Sequence, residues 1–290
     1  MAEKVTLLGS SYANDDRVAL LANFLADYLA DSDIEIEAKV GSYRFKEVPP
    51  RVSHITLLDP RATPFSFQSS VDPRYFDTLQ NTLRTRGLKE SISHTEDLIY
   101  DCNEHFAKER KTVDTATQTV VECSHKAKLY DLNFLLNPDS CLGIRISANK
   151  EYRLPAEPTG KFLMSRVKHR SSFAYEYFSL DMTKVLQQRT ETCEVELEIC
   201  DPNFVRGFVG PFLNGADRNS LFSIAHKFWQ NALALAQYRA PLPAPVWRGP
   251  DAELRMLEAN QQAVFRQVFG SEPPLVGDYL YTVARELANG

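Results

Sequence analysis

Two segments of the chain alternate glutamate with apolar residues. Residues 34–41 read IEIEAKVG, and residues 193–199 read CEVELEI. Side chains on a β-strand point alternately to its two faces, so each segment would place its charges on one face. A single segment of this kind is typical of an amphipathic strand that faces water. Glutamate is uncommon in strands, however, so two such segments favour a functional interpretation.

Glutamates from two strands that share an interior would repel one another strongly, because the effective dielectric constant there is low. A cation among them would offset this repulsion. Mg²⁺ and Mn²⁺ are hard divalent ions that prefer carboxylate oxygens as ligands. The two segments therefore predict a site for Mg²⁺ or Mn²⁺.

A third segment, residues 166–170, reads RVKHR and places Arg166, Lys168 and Arg170 in one row. A solvated edge strand often carries such cations. Beside two acidic rows, a second interpretation gains weight, because guanidinium and ammonium groups bind phosphate oxygens. The combination predicts a site for a metal-bound phosphate compound.

Two further segments have polar residues at alternate positions. Residues 144–151 place Arg145, Ser147, Asn149 and Glu151 on one face, and residues 179–183 do the same for Ser179, Asp181 and Thr183. If the strands close into a barrel, all these polar faces would point into its interior. The apolar faces would then point outward and would need a cover.

The elements that must position these residues follow from the pattern along the chain. Short alternating runs from about residue 94 to residue 200 predict consecutive antiparallel strands. Helical spacing of apolar residues flanks them, in residues 15–30, from Asp72-Pro73 to Gly87, and in residues 221–238 and 253–269. The predicted fold class is mainly β with flanking helices (α+β). One domain would span residues 1–290, with a barrel over about 33–200 and a helical extension over 201–290.

Composition and missing motifs exclude several classes of function. The net charge of −5 argues against a protein that coats nucleic acid, which needs a basic face. The sequence has five cysteines but no Cys-x-x-Cys pair, so a zinc site or a disulfide framework is not expected. It also has no Walker loop. No apolar run reaches the roughly 18 residues of a membrane span, so a soluble protein is expected.

The acidic, basic and Asp-x-Thr strands occur in an order that resembles one enzyme family. The strings IEIEAKVG, RISANKE, SRVKHRSSF, LDMTKV and CEVELEI are similar to those of the triphosphate tunnel metalloenzymes. More closely, they resemble the fungal and protist mRNA 5′-triphosphatases, the beta subunit of the mRNA-capping enzyme. The resemblance covers residues 15–200. It implies a closed antiparallel barrel of eight strands that removes the γ-phosphate of 5′-triphosphate RNA, and a further nucleotidase activity with Mn²⁺.

The resemblance also implies a role for each of several residues. It assigns the divalent ion to Glu35, Glu37 and Glu198, and the attacking water to Glu151 with help from Glu196. It assigns phosphate binding to Arg166, Lys168, Arg170, Lys39, Arg110 and Lys126, with Lys128 as the substitute for Lys126. Supporting positions are Glu194, Asp181, Thr183 and Arg145. Ser179 stands where the family usually has a basic residue, and Arg145 is the candidate to replace that contact.

Partners and location follow from the same resemblance. It implies the 5′-triphosphate end of nascent RNA as substrate, and a guanylyltransferase or the RNA polymerase II tail as a protein partner. It further implies a homodimer, nuclear localisation and no membrane association. Three enzymes of the same superfamily remain as alternatives: a tripolyphosphatase, a thiamine triphosphatase and an adenylate cyclase. A non-catalytic barrel that binds a polyanion is the alternative from another class.

Overall fold

The computed structural model describes Leu7, Asp15 and residues 17–47, 55–102, 107–137 and 139–238. The strands are β1 Ile34–Phe45, β2 Thr56–Leu58, β3 Phe65–Gln68, β4 Ser70–Val71, β5 Glu90–Asp101, β6 Ala107–Asp114, β7 Val120–Asn137, β8 Leu142–Arg153, β9 Phe162–Tyr175, β10 Phe178–Gln187 and β11 Thr190–Ile199. The helices are α1 Arg17–Leu29, α2 Pro73–Thr85, α3 Pro202–Arg206, α4 Val209–Leu213 and α5 Asn219–Ala236. The helix predicted over 253–269 lies outside the described residues, so the single domain over 1–290 stays a prediction.

Eight of the strands form a closed antiparallel barrel. Their order around the barrel is β1-β8-β7-β6-β5-β9-β10-β11, and β11 pairs with β1 to close it. At this closing seam Glu37 lies opposite Glu198, and Lys39 lies opposite Glu196. The short strands β2, β3 and β4 pair with β7, β1 and β11 respectively. The predicted fold class and barrel are therefore confirmed.

The main hydrophobic core lies outside the barrel wall. The outward faces of β1 and β8 bury Ile36 and Ile146. The helix α5, with Trp229, packs over this wall, and α1, with Leu25, packs against α5 in the same core. Each large side chain removed from water in this way contributes about 2 kcal/mol. The Trp229 ring lies 4.7 Å from that of Phe134. The helices thus cover the apolar side of strands whose other side is polar.

The predicted start and end of α2 agree with the structure. The Asp72 side chain accepts hydrogen bonds from the backbone N–H groups of Arg74 and Tyr75, and Pro73 is the first helical residue. These bonds satisfy donors that a helix start leaves unpaired. The helix ends shortly before Gly87, whose φ of 73° favours glycine. No described helix combines the length and apolarity that a membrane span requires.

Two glycines permit a close approach of paired strands at one end of β1. Gly41 of β1 pairs with Gly143 of β8. A Cβ atom on Gly41 would lie 2.1 Å from the carbonyl oxygen of Gln68, a backbone atom of β3. Hard contact with backbone cannot be relieved by a rotamer change, so the close approach of β3 to β1, with which it pairs, requires glycine here.

We predict that Gly41→Ala lowers the free energy of unfolding by about 1–3 kcal/mol, the usual cost of overpacking. Urea denaturation at equilibrium measures this change. Gly210→Ala is the matched control, because a Cβ atom on Gly210 meets nothing within 4 Å. Equal stability of the two variants would show that β3 does not press on β1 as the structure has it.

Candidate active site

The inward faces of the barrel strands surround a polar cavity of about 390 Å³. Its lining comprises Glu35, Glu37, Lys39, Asp97, Ile99, Lys108, Arg110, Lys126, Lys128, Asp131, Arg145, Ser147, Asn149, Arg166, Lys168, Arg170, Glu194, Glu196 and Glu198. The acidic residues and the lysine of residues 34–41, the basic row of β9 and the alternating glutamates of residues 193–199 are among them. The alternation read from the sequence therefore places both acidic rows and the basic row in one interior.

The candidate metal ligands lie at the seam between β1 and β11. The Asn149 Nδ2 atom donates to Glu35 Oε2 and to Glu37 Oε1, at 3.1 Å each. Burial, and then the negative charges of Glu35, Asp181 and Glu37, raise the pKa of the Glu198 carboxyl to about 8. A carboxyl with so high a pKa lies where negative charge is in excess. A divalent cation would offset that excess, so the residues at the seam fit a metal ion chemically.

Lysines contact the same carboxylates. Lys126 forms an ion pair with Glu35, and Lys39 Nζ lies 3.2 Å from Glu37 Oε2. Within the part of the chain that the structure describes, no three carboxylate, imidazole or thiolate groups converge on one point. A metal ion at the seam would therefore require the glutamate side chains to turn from these lysines toward the ion.

Glu196 differs sharply from Glu198, two residues along the strand. Its Oε1 atom accepts a hydrogen bond from Lys39 Nζ at 2.7 Å, and Arg170 lies nearby. Burial acts to raise the pKa of Glu196, but the positive charges of Lys39 and Arg170 outweigh it and lower the pKa well below its usual range. Glu196 therefore stays ionised, as a fixed anion beside two cations.

The basic row of β9 is held in place by carboxylates of neighbouring strands. Arg166 pairs with Glu194 at 3.1 Å. Arg170 donates to Asp181 at 2.7 Å and to Thr183 at 3.1 Å. Asp181 and Thr183 do not line the cavity themselves, and they hold a guanidinium group that does. This arrangement orients the row inward before any substrate arrives.

Glu151 also contacts the cavity through cations. It forms an ion pair with Arg110, and its Oε2 atom lies 3.4 Å from Lys126 Nζ. Ser124 Oγ donates to Glu151 at 3.2 Å. The structure thus brings Arg110 and Lys126 to the same glutamate. Lys128 lines the cavity too, although its ion pair is with Asp131.

Asp97 is a buried site residue that the sequence analysis missed. Its carboxylate lies 2.5 Å from Lys168 Nζ and accepts a hydrogen bond from Thr112 at 2.9 Å. Burial, together with Arg110 and Arg170, lowers the pKa of Lys168, and the negative charge of Asp97 opposes that shift. The signal was weak because β5 carries polar residues on both faces.

A closed barrel with acidic and basic rows on its inward faces is the arrangement that the resemblance implied. Comparison with protein families shows the family of this chain. The family model described as "mRNA capping enzyme, beta chain" matches residues 13–240. The chain belongs to this family. Membership confirms the predicted reaction, the removal of the γ-phosphate from 5′-triphosphate RNA in mRNA capping, and favours none of the alternatives. It also implies a divalent metal ion.

Solved structures similar to this capping-enzyme beta chain share its fold. One is the Pct1 RNA triphosphatase of S. pombe in complex with the Spt5 CTD, with a TM-score of 0.72 and 23% identity, covering 78% of this chain and 96% of that one. Another is Pct1 alone, with a TM-score of 0.69 and 24% identity, covering 78% and 95%. A comparison with curated proteins gave no match. At these identities the structural likeness supports the fold alone.

We predict that Asp97→Asn lowers the free energy of unfolding by about 3 kcal/mol at pH 7, because it leaves Lys168 buried without its counter-charge. Chemical denaturation of both proteins measures the difference. Nearby cations keep the pKa of Asp97 below its usual value despite burial. The stabilising effect of its charge is therefore present above about pH 4 and is lost as the pH falls through the folded-state pKa.

Asp101→Asn is the matched control on the same strand. The Asp101 side chain is 41% exposed and lies 3.5 Å from Lys108, so its loss should cost less than about 1 kcal/mol. If Asp97→Asn were no more destabilising than this control, the pair with Lys168 would not be a structural constraint of the barrel.

Proposed function

We propose that the chain hydrolyses the γ-phosphate inside the barrel cavity, using the residues of the closing seam and of the basic row. One observation supports this assignment above the others. The carboxylates of β1 and β11 and the cations of β9 lie on inward faces of the same closed barrel and line one cavity. A triphosphate that carries a divalent ion has the matching chemistry, since its oxygens suit cations and its metal suits carboxylates.

Glu35, Glu37 and Glu198 are the proposed ligands of the divalent ion, which would be Mg²⁺ or Mn²⁺. Asn149 supports this choice because it bonds to two of the three carboxylates and aligns them. The raised pKa of Glu198 also supports it, because burial and repulsion by nearby carboxylates cause the shift and bound metal would relieve that repulsion. When bound, such an ion would supply Lewis-acid chemistry that polarises the γ-phosphate. Nucleotidase activity with Mn²⁺ would use the same site.

Six cations of the cavity are proposed to bind the phosphate oxygens. They are Lys39, Arg110, Lys126, Arg166, Lys168 and Arg170. Each forms an ion pair with a carboxylate of the barrel, so each is oriented before substrate binds. Donors that are fixed in advance stabilise charge that develops in the transition state without a cost of reorganisation. Glu194, Asp181 and Thr183 would act through these cations.

Glu151 is proposed to orient the attacking water. Phosphoryl transfer depends on positioning and electrostatic stabilisation more than on a strong base. The low pKa of Glu196 makes that carboxylate a poor proton acceptor. We therefore assign Glu196 the orientation of Lys39 and of water, and not the removal of a proton.

The proposed setting is the capping of nascent RNA in the nucleus. A guanylyltransferase or the tail of RNA polymerase II is the proposed partner, and a homodimer is the proposed assembly. The Pct1 structure in complex with the Spt5 CTD supports a partner from the transcription machinery. A substrate panel with triphosphate-ended RNA, tripolyphosphate and ATP separates the proposed reaction from those of the other tunnel enzymes. Preference for tripolyphosphate or ATP over RNA would contradict it.

We predict that Glu37→Ala lowers phosphate release from triphosphate-ended RNA by about 10³-fold, since it removes a metal ligand worth several kcal/mol to the transition state. Loss of bound Mn²⁺, followed by electron paramagnetic resonance, gives a readout independent of activity. Wild-type protein in excess chelator should lose activity to a similar extent. Circular dichroism should show an unchanged, cooperative fold.

Glu191→Ala serves as the control, because Glu191 is an exposed glutamate of the same strand as Glu198. It should keep wild-type activity and Mn²⁺ binding. Full activity of Glu37→Ala, or of the wild type in chelator, would refute the metal assignment.

A further inference from the structure

A second cavity adjoins the active-site cavity and differs from it in character. This side groove has a volume of about 790 Å³ and shares Lys128, Asp131 and Arg145 with the active-site cavity. The rest of its lining includes Leu57, Phe65, Phe67, Leu129 and Tyr130. The active-site cavity, in contrast, has a single apolar lining residue, Ile99, among the described residues. A ligand that extends from one cavity into the other would therefore meet charges first and apolar rings next.

A β-bulge shapes one wall of the side groove. The pairing of β7 with β8 shifts between Lys128 and Tyr130 and leaves Leu129 without a partner residue. Leu129 is 43% exposed and Tyr130 is 51% exposed. Bulges redirect side chains and occur often beside active sites. Here both residues line the groove at the point where β7 leaves the polar cavity, and the Tyr130 ring also stacks on Tyr28 of α1.

Arg145 stands at the boundary between the two cavities. Its guanidinium carbon lies 4.7 Å from the centroid of the Phe67 ring, and its Nε atom is buried without a hydrogen-bond partner. The six proposed phosphate-binding cations each pair with a carboxylate, whereas Arg145 forms no ion pair within the described part of the chain. Its positive charge thus remains available to an anionic ligand.

The Phe67 ring holds Arg145 in this position by a cation–π contact with its guanidinium group. The ring is flanked by the guanidinium group and by Tyr43, whose ring centroid lies 5.1 Å away. The close approach of β3 at Gly41 brings Phe67 beneath Arg145, because β3 pairs with the end of β1. A stacked guanidinium presents a flat face as well as a charge, and nucleic-acid bases stack on such faces as they do on aromatic rings.

We propose that the side groove binds the first nucleosides of the RNA whose triphosphate occupies the active-site cavity. Arg145 contacts a backbone phosphate and offers its flat face to a base, and Phe67, Leu129 and Tyr130 form the apolar surface on which the nucleosides rest. This inference rests on the proposed function, because only an RNA chain joined to the triphosphate carries alternating phosphates and bases past the boundary. The active-site cavity binds the triphosphate, and the side groove distinguishes RNA from triphosphates that carry no RNA chain.

Two variants test the side groove without touching the proposed catalytic residues. Leu129→Asp places a negative charge on its exposed wall, where it would repel RNA phosphates. Phe67→Leu removes the ring beneath Arg145 but keeps an apolar side chain against Tyr43. For each we expect KM for a short triphosphate-ended oligoribonucleotide to rise about fivefold, the lower end of what one stacked base contributes. The inhibition constant of inorganic tripolyphosphate, which has no nucleoside, should stay unchanged.

Matched controls lie on the helices. Leu213→Asp introduces the same charge at an exposed leucine of α4, and Phe222→Leu makes the same substitution at an exposed ring of α5. Neither residue lines a cavity described above, so neither change should alter KM for RNA. Thermal denaturation confirms that all four variants are folded under the assay conditions.

The length dependence of the substrate completes the test. The wild type should bind the oligoribonucleotide more tightly than a mononucleoside triphosphate, and Leu129→Asp and Phe67→Leu should remove that difference. If the wild type releases phosphate from RNA and neither variant raises KM for RNA, the side-groove inference alone is overturned. A wild type that releases no phosphate from triphosphate-ended RNA would overturn the proposed function itself. Equal losses for RNA and tripolyphosphate would show that the variants damage the barrel and would also contradict a separate nucleoside subsite.

Discussion

Charge balance inside an enclosed barrel is the constraint on which the rest of this structure depends. Two unit charges 4 Å apart interact by about 4 kcal/mol at the effective dielectric constant of a protein boundary. The cavity holds rows of glutamates and a row of arginine and lysine side chains at such distances. Burial raises the pKa of both Glu196 and Glu198, but two neighbouring cations outweigh it and keep Glu196 ionised, whereas three neighbouring carboxylates raise the pKa of Glu198 further. The unequal shifts locate the excess of negative charge at the closing seam.

The polar interior also explains the position of the hydrophobic core. A barrel whose inward faces carry charges must bury its apolar faces on the outside. The helix α5 provides that cover over β1 and β8, α1 packs against α5, and α2 packs against β11. This arrangement separates two tasks. The helices and the outer wall supply most of the apolar burial, and the interior is left to chemistry at the cost of several buried ion pairs.

The same separation prepares the interior for phosphate. A cation that is already oriented by a carboxylate loses little side-chain freedom when a phosphate arrives, so more of the interaction remains for the transition state. Arg145 stands apart because a ring, and not a carboxylate, holds it. The polar cavity and the apolar side groove therefore meet at the one described lining cation whose charge is not balanced from within. The physical difference between the two cavities matches the difference between a triphosphate and the nucleosides that follow it.

Much of this protein could be read from its sequence because strands alternate strictly. The period of two in residues 34–41, 166–170 and 193–199 was enough to assign charges to one face and apolar residues to the other. The Asp-Pro and glycine signals of α2 were equally local. What alternation could not decide was which faces meet. Closure of β11 onto β1, the buried pair of Asp97 with Lys168, and the meeting of Arg110 and Lys126 at Glu151 all join residues far apart in the chain. The bulge at Leu129 and the close approach of β3 at Gly41 also depend on strand pairing, so only the tertiary structure could show the side groove beside the active site.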